Sequence, residues 1–142
     1  MISIDTNVLL RYLLTDDITQ YEKANVIISS SRPVLITDVV LAETVWTLKG
    51  KRYKYDKASI CNVVRNLVGD SNFVFESNQV IWSSLCDFEK AKPIRGKELD
   101  FADSLIVHKS HLSAKNKGTH LTWIYSFDKA VQQLKGVNFL EC

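Results

Sequence analysis

The chain has 142 residues, of which 46% are hydrophobic and 24% charged, a composition typical of one globular domain with a single hydrophobic core. No apolar run is long enough to span a bilayer, and the N-terminus lacks the basic region and long apolar stretch of a signal peptide, so we expect a cytoplasmic protein with no membrane partner. A net charge of +2 does not establish a nucleic-acid partner, and three widely spaced cysteines, Cys61, Cys86 and Cys142, argue against a disulfide framework or a zinc ribbon.

Short β-rich runs alternate with longer runs of helical periodicity in the first half of the chain. Proline at position 33 ends the second helical run, and Asp56 is placed to cap the fourth. The predicted elements are strand Ile2–Ile4, helix Thr6–Leu14, helix Asp16–Ser30, strand Val34–Ile36, helix Val39–Tyr53 and helix Lys57–Val68.

The same alternation continues in the second half, where the predicted elements are strand Phe73–Phe75, helix Asn78–Lys90, helix Leu99–His111, strand Leu121–Tyr125, helix Asp128–Leu134 and strand Val137–Leu140. Strands that alternate with helices favour a parallel sheet covered on both faces. We therefore predict one three-layer α/β/α domain over residues 1–142, with a central parallel sheet of four to five strands.

Four acidic residues stand out by their positions. Asp5 and Asp128 follow predicted strands, at the edge where open parallel sheets bind ligands. Each could instead cap the helix that begins after it. Glu43 and Asp103 lie within apolar helical sequence, where an unpaired charge is costly, although a place on an exposed polar stripe is the alternative. Asp100 adds a fifth carboxylate and is the clearest helix-cap candidate of the group.

Carboxylates that gather in one cleft repel each other, by roughly 4 kcal/mol for a pair about 4 Å apart at an effective dielectric constant near 20. A divalent cation removes that repulsion, and oxygen ligands select a hard ion such as Mg²⁺ or Mn²⁺. Such an ion polarises a phosphate and lowers the pKa of bound water, which is sufficient for phosphodiester hydrolysis. We therefore expect these side chains to converge on one metal-dependent site.

Four segments together resemble the PIN-domain family, and in particular the VapC-type toxins. They are Ile4–Tyr12, Leu41–Trp46, Asp100–Ile106 and Tyr125–Lys129, and their order and spacing are similar to those of the family's acidic motifs. The resemblance implies an endoribonuclease that uses Mg²⁺ or Mn²⁺, forms a homodimer and is neutralised by a cognate antitoxin.

The resemblance also implies a role for each matching position. Asp5 and Asp103 are implied to be direct metal ligands, while Glu43 and Asp128 hold a second ion or an ordered water. Asp100 is a further metal candidate. The polar residues expected beside the site are Thr6, Asn7 and Ser126, and Asn7 either orients Asp5 or satisfies the local turn.

Two other functions stay open at this point: a PIN nuclease of RNA processing without an antitoxin, and a catalytically inactive PIN module that only binds. The three tryptophans, Trp46, Trp82 and Trp123, lie mostly at core-facing spacing, which favours packing or a dimer face over base stacking. Tyr53 and Tyr55, within a basic cluster, are the better candidates for stacking on bases.

Overall fold

A computed structural model describes residues 1 to 141, which fall into two compact units, Met1–Glu76 and Ser77–Cys142. Within these residues there are six α-helices, one short 3₁₀ helix and five strands. The helices and parallel strands are consistent with the predicted α/β/α class. Cys142, one of the three cysteines considered in the sequence analysis, lies outside the described residues. None of the described helices has the length and apolar character that a membrane span requires.

The first unit combines a three-stranded parallel sheet with four helices. The strands lie in the order β1 (Ile2–Ser3), β2 (Val34–Ile36) and β3 (Phe73–Phe75), and Val34 pairs with both Ile2 and Phe73. The helices are α1 (Thr6–Leu14), α2 (Ile18–Ile28), α3 (Asp38–Lys49) and α4 (Lys57–Gly69). Helix α1 packs against α2 and α3, and α4 packs against β3.

Side-chain caps fix the start of each of these helices. Asp5, Asp17, Thr37 and Asp56 each accept a hydrogen bond from the backbone N–H three residues ahead, which satisfies one of the free donors of the first turn. Parallel strands buried on both faces need apolar runs, and the side chains of Val34 and Ile36 are fully buried.

The second unit contains α5 (Asn78–Lys90), α6 (Phe101–Asn116), β4 (Ile124–Ser126), the 3₁₀ helix Val131–Gln133 and β5 (Val137–Phe139). Strands β4 and β5 form a separate two-stranded parallel sheet. Helices α5 and α6 pack together through the edge-to-face rings of Phe88 and Phe101, whose centroids are 5.7 Å apart. A second link between them joins His108 Nε2 to Asp87 Oδ2 at 2.6 Å.

Several predicted boundaries need correction. Helix α6 begins at Phe101 rather than Leu99, because Asp100 is extended, and it continues beyond His111 to Asn116. Helix α3 ends at Lys49 rather than Tyr53, since Gly50 leaves helical geometry. The predicted helix Asp128–Leu134 is a single 3₁₀ turn, and β4 begins three residues later than predicted.

Candidate functional site

Asp5 stands two residues beyond β1 and begins α1. Its backbone is extended, its side chain is exposed, and Oδ1 accepts a hydrogen bond from the Val8 N–H at 2.9 Å. The cap role considered in the sequence analysis is therefore confirmed. One carboxylate oxygen is occupied by the helix, and a carboxylate has further acceptor positions on its second oxygen.

Glu43 is in the middle of α3, and it is exposed rather than buried. The expectation of a costly buried charge is wrong for this residue, because the apolar neighbours Leu41 and Val45 point into the core while Glu43 does not. The Thr6 hydroxyl donates a hydrogen bond to Glu43 Oε2 at 3.2 Å. The first unit thus brings Glu43 to the residue that follows Asp5.

Asn7, the next residue of α1, is exposed. Together with Val8 and Arg11 it lines a groove of about 210 Å³ between α1 and α2. The predicted role of Asn7 in orienting Asp5 stays a prediction.

In the second unit, Asp100 and Asp103 occupy the start of α6. Asp100 is at the N-cap position, but its side chain makes no hydrogen bond to the helix, so its expected cap role is not fulfilled. Asp103 lies in the first turn, not a turn or more inside the helix as the predicted boundary implied. At this position, the positive end of the helix dipole favours a negative charge.

Asp128 follows β4 by two residues, as predicted. Its Oδ1 accepts a hydrogen bond from the Ala130 N–H at 2.8 Å, and its own N–H donates to the Ser126 hydroxyl at 3.0 Å. These bonds fold the chain into a tight Asx turn and do not cap a helix. The remaining oxygen, Oδ2, lies 3.7 Å from Lys97 Nζ.

The pKa of Asp103 reflects its burial and the charges of the neighbouring acidic residues. Burial raises the pKa of the Asp103 carboxyl above its ordinary value, and the negative charges of Asp128 and Asp100 raise it further. Lys97 acts in the opposite direction but does not cancel the shift in pKa. The carboxylates of Asp100 and Asp128 therefore lie close enough to Asp103 for their charges to interact, and a cation placed among them would be stabilising.

The donor chemistry of both units fits a hard divalent ion, because carboxylate and hydroxyl oxygens are the ligands that Mg²⁺ and Mn²⁺ prefer. Among residues 1 to 141, no group of three or more His, Cys, Asp or Glu side chains is close enough to hold a metal ion. The predicted residues are divided between the units: Asp5 and Glu43 belong to the first, and Asp100, Asp103 and Asp128 to the second. Their convergence on one ion stays a prediction.

Sequence reasoning missed one contact of Asp128 and the exposure of the tryptophans. Lys97 pairs with this carboxylate although 31 positions separate them, so no local pattern announces the contact. Core packing, one of the two roles expected for the tryptophans, is wrong, because Trp46, Trp82 and Trp123 are exposed by 77%, 39% and 50%; the dimer face stays a prediction.

The comparisons with known proteins give one match. The family model described as PIN domain matches residues 2–137 and so spans both units. Neither a curated protein nor a solved structure matches the chain significantly.

Proposed function

Because the chain belongs to the PIN domain family over almost its whole length, we propose that it is a metal-dependent endoribonuclease. PIN domains are generally metal-dependent nucleases, and this supports a hydrolase of phosphodiester bonds. The observation that carries the proposal is the family match over residues 2–137, and the charge interaction of Asp103 with Asp128 and Asp100 agrees with it. A divalent cation is the partner that such a set of carboxylates favours.

The acidic residues have distinct tasks in this proposal. Asp5 and Asp103 bind the ion directly, and Glu43 and Asp128 hold a second ion or an ordered water. Asp100, whose side chain is not engaged in capping α6, is a further ligand. The ion, Mg²⁺ or Mn²⁺, would polarise the scissile phosphate and lower the pKa of the attacking water.

Neighbouring residues orient these carboxylates. The hydroxyl of Thr6 donates to Glu43 and the hydroxyl of Ser126 accepts from the backbone of Asp128, so each fixes one acidic residue. Lys97, whose Nζ lies 3.7 Å from Asp128 Oδ2, would face the phosphate of a bound substrate. Asn7 completes the polar residues beside Asp5.

The biological role that we propose is that of a toxin neutralised by a cognate antitoxin, acting on RNA in the cytoplasm as a homodimer. The similarity of the four acidic segments to VapC-type toxins supports this role, and the family match supports the nuclease part of it. The experiment tests this toxin role against two alternatives. One is RNA cleavage without an antitoxin, and the other is RNA binding without cleavage.

The experiment compares RNA cleavage by the purified chain in Mn²⁺ and in EDTA, with Asp5→Asn as the control. We expect internal cleavage in Mn²⁺, none in EDTA and none with Asp5→Asn. Sequencing of the new RNA ends after expression then identifies the target. Growth arrest that a small neighbouring gene relieves would support the toxin role, and cleavage without arrest would favour RNA processing. RNA binding without cleavage in any metal would contradict the nuclease.

A further inference from the structure

Three exposed aromatic rings lie close together along the segment that contains β4. Trp123, Tyr125 and Phe127 alternate with partly buried residues, and they are exposed by 50%, 62% and 64%. Between them, Ile124 packs against the hydrophobic cluster of Leu99 and Val131. Because successive side chains of a strand point to opposite faces, Tyr125 projects from the face of β4 that is turned away from this core, and the exposed rings of Trp123 and Phe127 flank it just outside the two ends of the strand. We call this set the aromatic ladder.

The three large rings of the aromatic ladder stay in contact with water, so the folded chain does not gain the free energy of burying them. Extended chain rises about 3.3 Å per residue, so the backbone attachment points of Tyr125 and of each flanking ring, two residues away, are separated by about 6.6 Å where the chain is extended. Stacked nucleotides in one strand of a duplex are spaced by about 3.4 Å. A nucleic acid strand that places one base on each ring must therefore be extended, with its bases unstacked from each other.

Positive charge surrounds the Phe127 end of the ladder. A cavity of about 610 Å³ there is lined by Arg95, Lys97 and Lys129, together with Phe127 and a second ring, Phe139. The two acids of this cavity are Asp128, which is paired with Lys97, and Glu141. Three cations face two anions, and the surplus is positive.

The position of Arg95 is fixed by a tight turn. Arg95 and Gly96 have φ values of 50° and 76°, and Ile94 and Lys97 exchange two backbone hydrogen bonds of 3.0 Å. Two successive residues with positive φ and this reciprocal pairing are typical of the type I′ hairpin turn. Glycine adopts that geometry without strain, whereas arginine does so at a cost. The turn presents the Arg95 guanidinium to the cavity instead of leaving it on a mobile loop.

We propose that the aromatic ladder is a base-stacking platform for single-stranded RNA, and that Arg95 and Lys129 bind its phosphates. The proposal rests on the proposed nuclease function and names the surface that holds its substrate. Ring stacking is tolerant of sequence because every base has a π-face, and a positive groove beside the rings holds the backbone. The aromatic ladder ends at Phe127, the residue before Asp128, so an RNA strand that runs along it reaches this candidate acidic residue.

The proposed platform is tested by measuring RNA binding under conditions in which no cleavage is expected. A short fluorescein-labelled single-stranded RNA is titrated in EDTA, and its Kd is measured by fluorescence anisotropy for the wild type, Tyr125→Ala, Phe127→Ala and Trp82→Ala. Trp82 is an exposed ring of the same unit outside the ladder, on α5, and is the matched control. We expect each ladder substitution to weaken binding about 5- to 150-fold, and Trp82→Ala to leave the Kd unchanged.

Two further variants separate stacking from damage to the fold. Tyr125→Phe keeps the ring and should keep the wild-type Kd. Lys129→Gln removes one phosphate contact, and the slope of log Kd against log salt concentration should fall by about 0.7. Circular dichroism checks that each variant is folded.

Several results would overturn the platform. One is an equal loss of RNA binding in Trp82→Ala and Tyr125→Ala. Another is an affinity for duplex RNA equal to that for single-stranded RNA. A third is a Tyr125→Ala protein that loses its oligomeric state but keeps its RNA affinity, which would assign this face to a second copy of the chain. Cleavage in Mn²⁺ is assayed separately on the wild type. Ladder variants with normal binding and a wild type that cleaves would refute the platform alone, whereas a wild type that binds but never cleaves would refute the nuclease.

Discussion

Asp5 has a structural role and a proposed chemical role, and two substitutions separate them. Alanine removes the side-chain oxygen that accepts the 2.9 Å bond from the Val8 N–H, and it also removes the charge. Asparagine removes the charge but keeps an oxygen at the cap position, where Asn and Asp are about equally favourable. The pair therefore distinguishes loss of the cap from loss of the carboxylate.

The expected loss of stability in Asp5→Ala follows from the loss of the side-chain cap of α1. Loss of a side-chain N-cap costs about 1 kcal/mol, with a range of roughly 0.5 to 2 kcal/mol. For a chain of 142 residues, the entropy of unfolding is about 0.3 kcal/mol per degree, so Asp5→Ala should lower Tm by about 3 °C. Asp5→Asn should leave Tm within about 1 °C of the wild type in EDTA.

The assay is thermal unfolding followed by circular dichroism in EDTA, combined with RNA cleavage in Mn²⁺. We expect only Asp5→Ala to melt lower and both variants to lose cleavage. Equal destabilisation by both substitutions would refute the assignment of the cap to the side-chain oxygen. Cleavage by Asp5→Asn at the wild-type rate would refute the role of Asp5 as a metal ligand.

Three further substitutions test the second unit. Because burial and the charges of Asp128 and Asp100 raise the pKa of Asp103, the ionised form of this side chain destabilises the fold. Asp103→Asn should therefore raise Tm in EDTA at neutral pH. This gain in Tm should vanish as the pH falls below about 4, where the carboxyl is protonated in the folded and the unfolded chain. A gain that persists at low pH would contradict this cause. Gly136→Ala places a Cβ 3.2 Å from the His111 ring at a φ of 79°, and urea unfolding should show a loss of about 1 to 3 kcal/mol. Phe88→Ala empties a fully buried site in the second unit and should cost about 3 to 5 kcal/mol in the same assay, whereas a loss below 1 kcal/mol would contradict its burial.

The fold could be predicted where sequence signals are local. Asp5 as an N-cap fixed the start of α1, and the apolar triplets of β2 and β3 fixed those strands, so all three agree with the structure. The end of α6 could not be predicted, because polar residues such as Lys115 are compatible with either a helix or a loop. The helix continues until Lys117 and then Gly118, whose φ of 72° leaves helical geometry.

The sequence could predict which residues belong to the candidate site, but not their exposure or their tertiary contacts. The positions of Asp5 and Asp128 after their strands follow from chain order, and the structure confirms these positions. The exposure of Glu43 was expected only as the alternative to burial, because apolar sequence neighbours in a helix point in different directions and do not fix the side on which Glu43 lies. The contact of Lys97 with Asp128 and the exposed ladder depend on tertiary structure, which a local pattern does not encode.

The most direct test of the account is whether the carboxylates bind a divalent cation. Tm is measured for the wild type, Asp5→Asn and Asp103→Asn during titration with Mn²⁺, against a Ca²⁺-free buffer with EDTA as reference. A ligand at a hundredfold excess over its Kd stabilises by about 2.7 kcal/mol, which for this chain length corresponds to about 9 °C. We predict such a rise for the wild type and its loss in a variant of either unit. No rise in the wild type, or the same rise in all three proteins, would contradict the account.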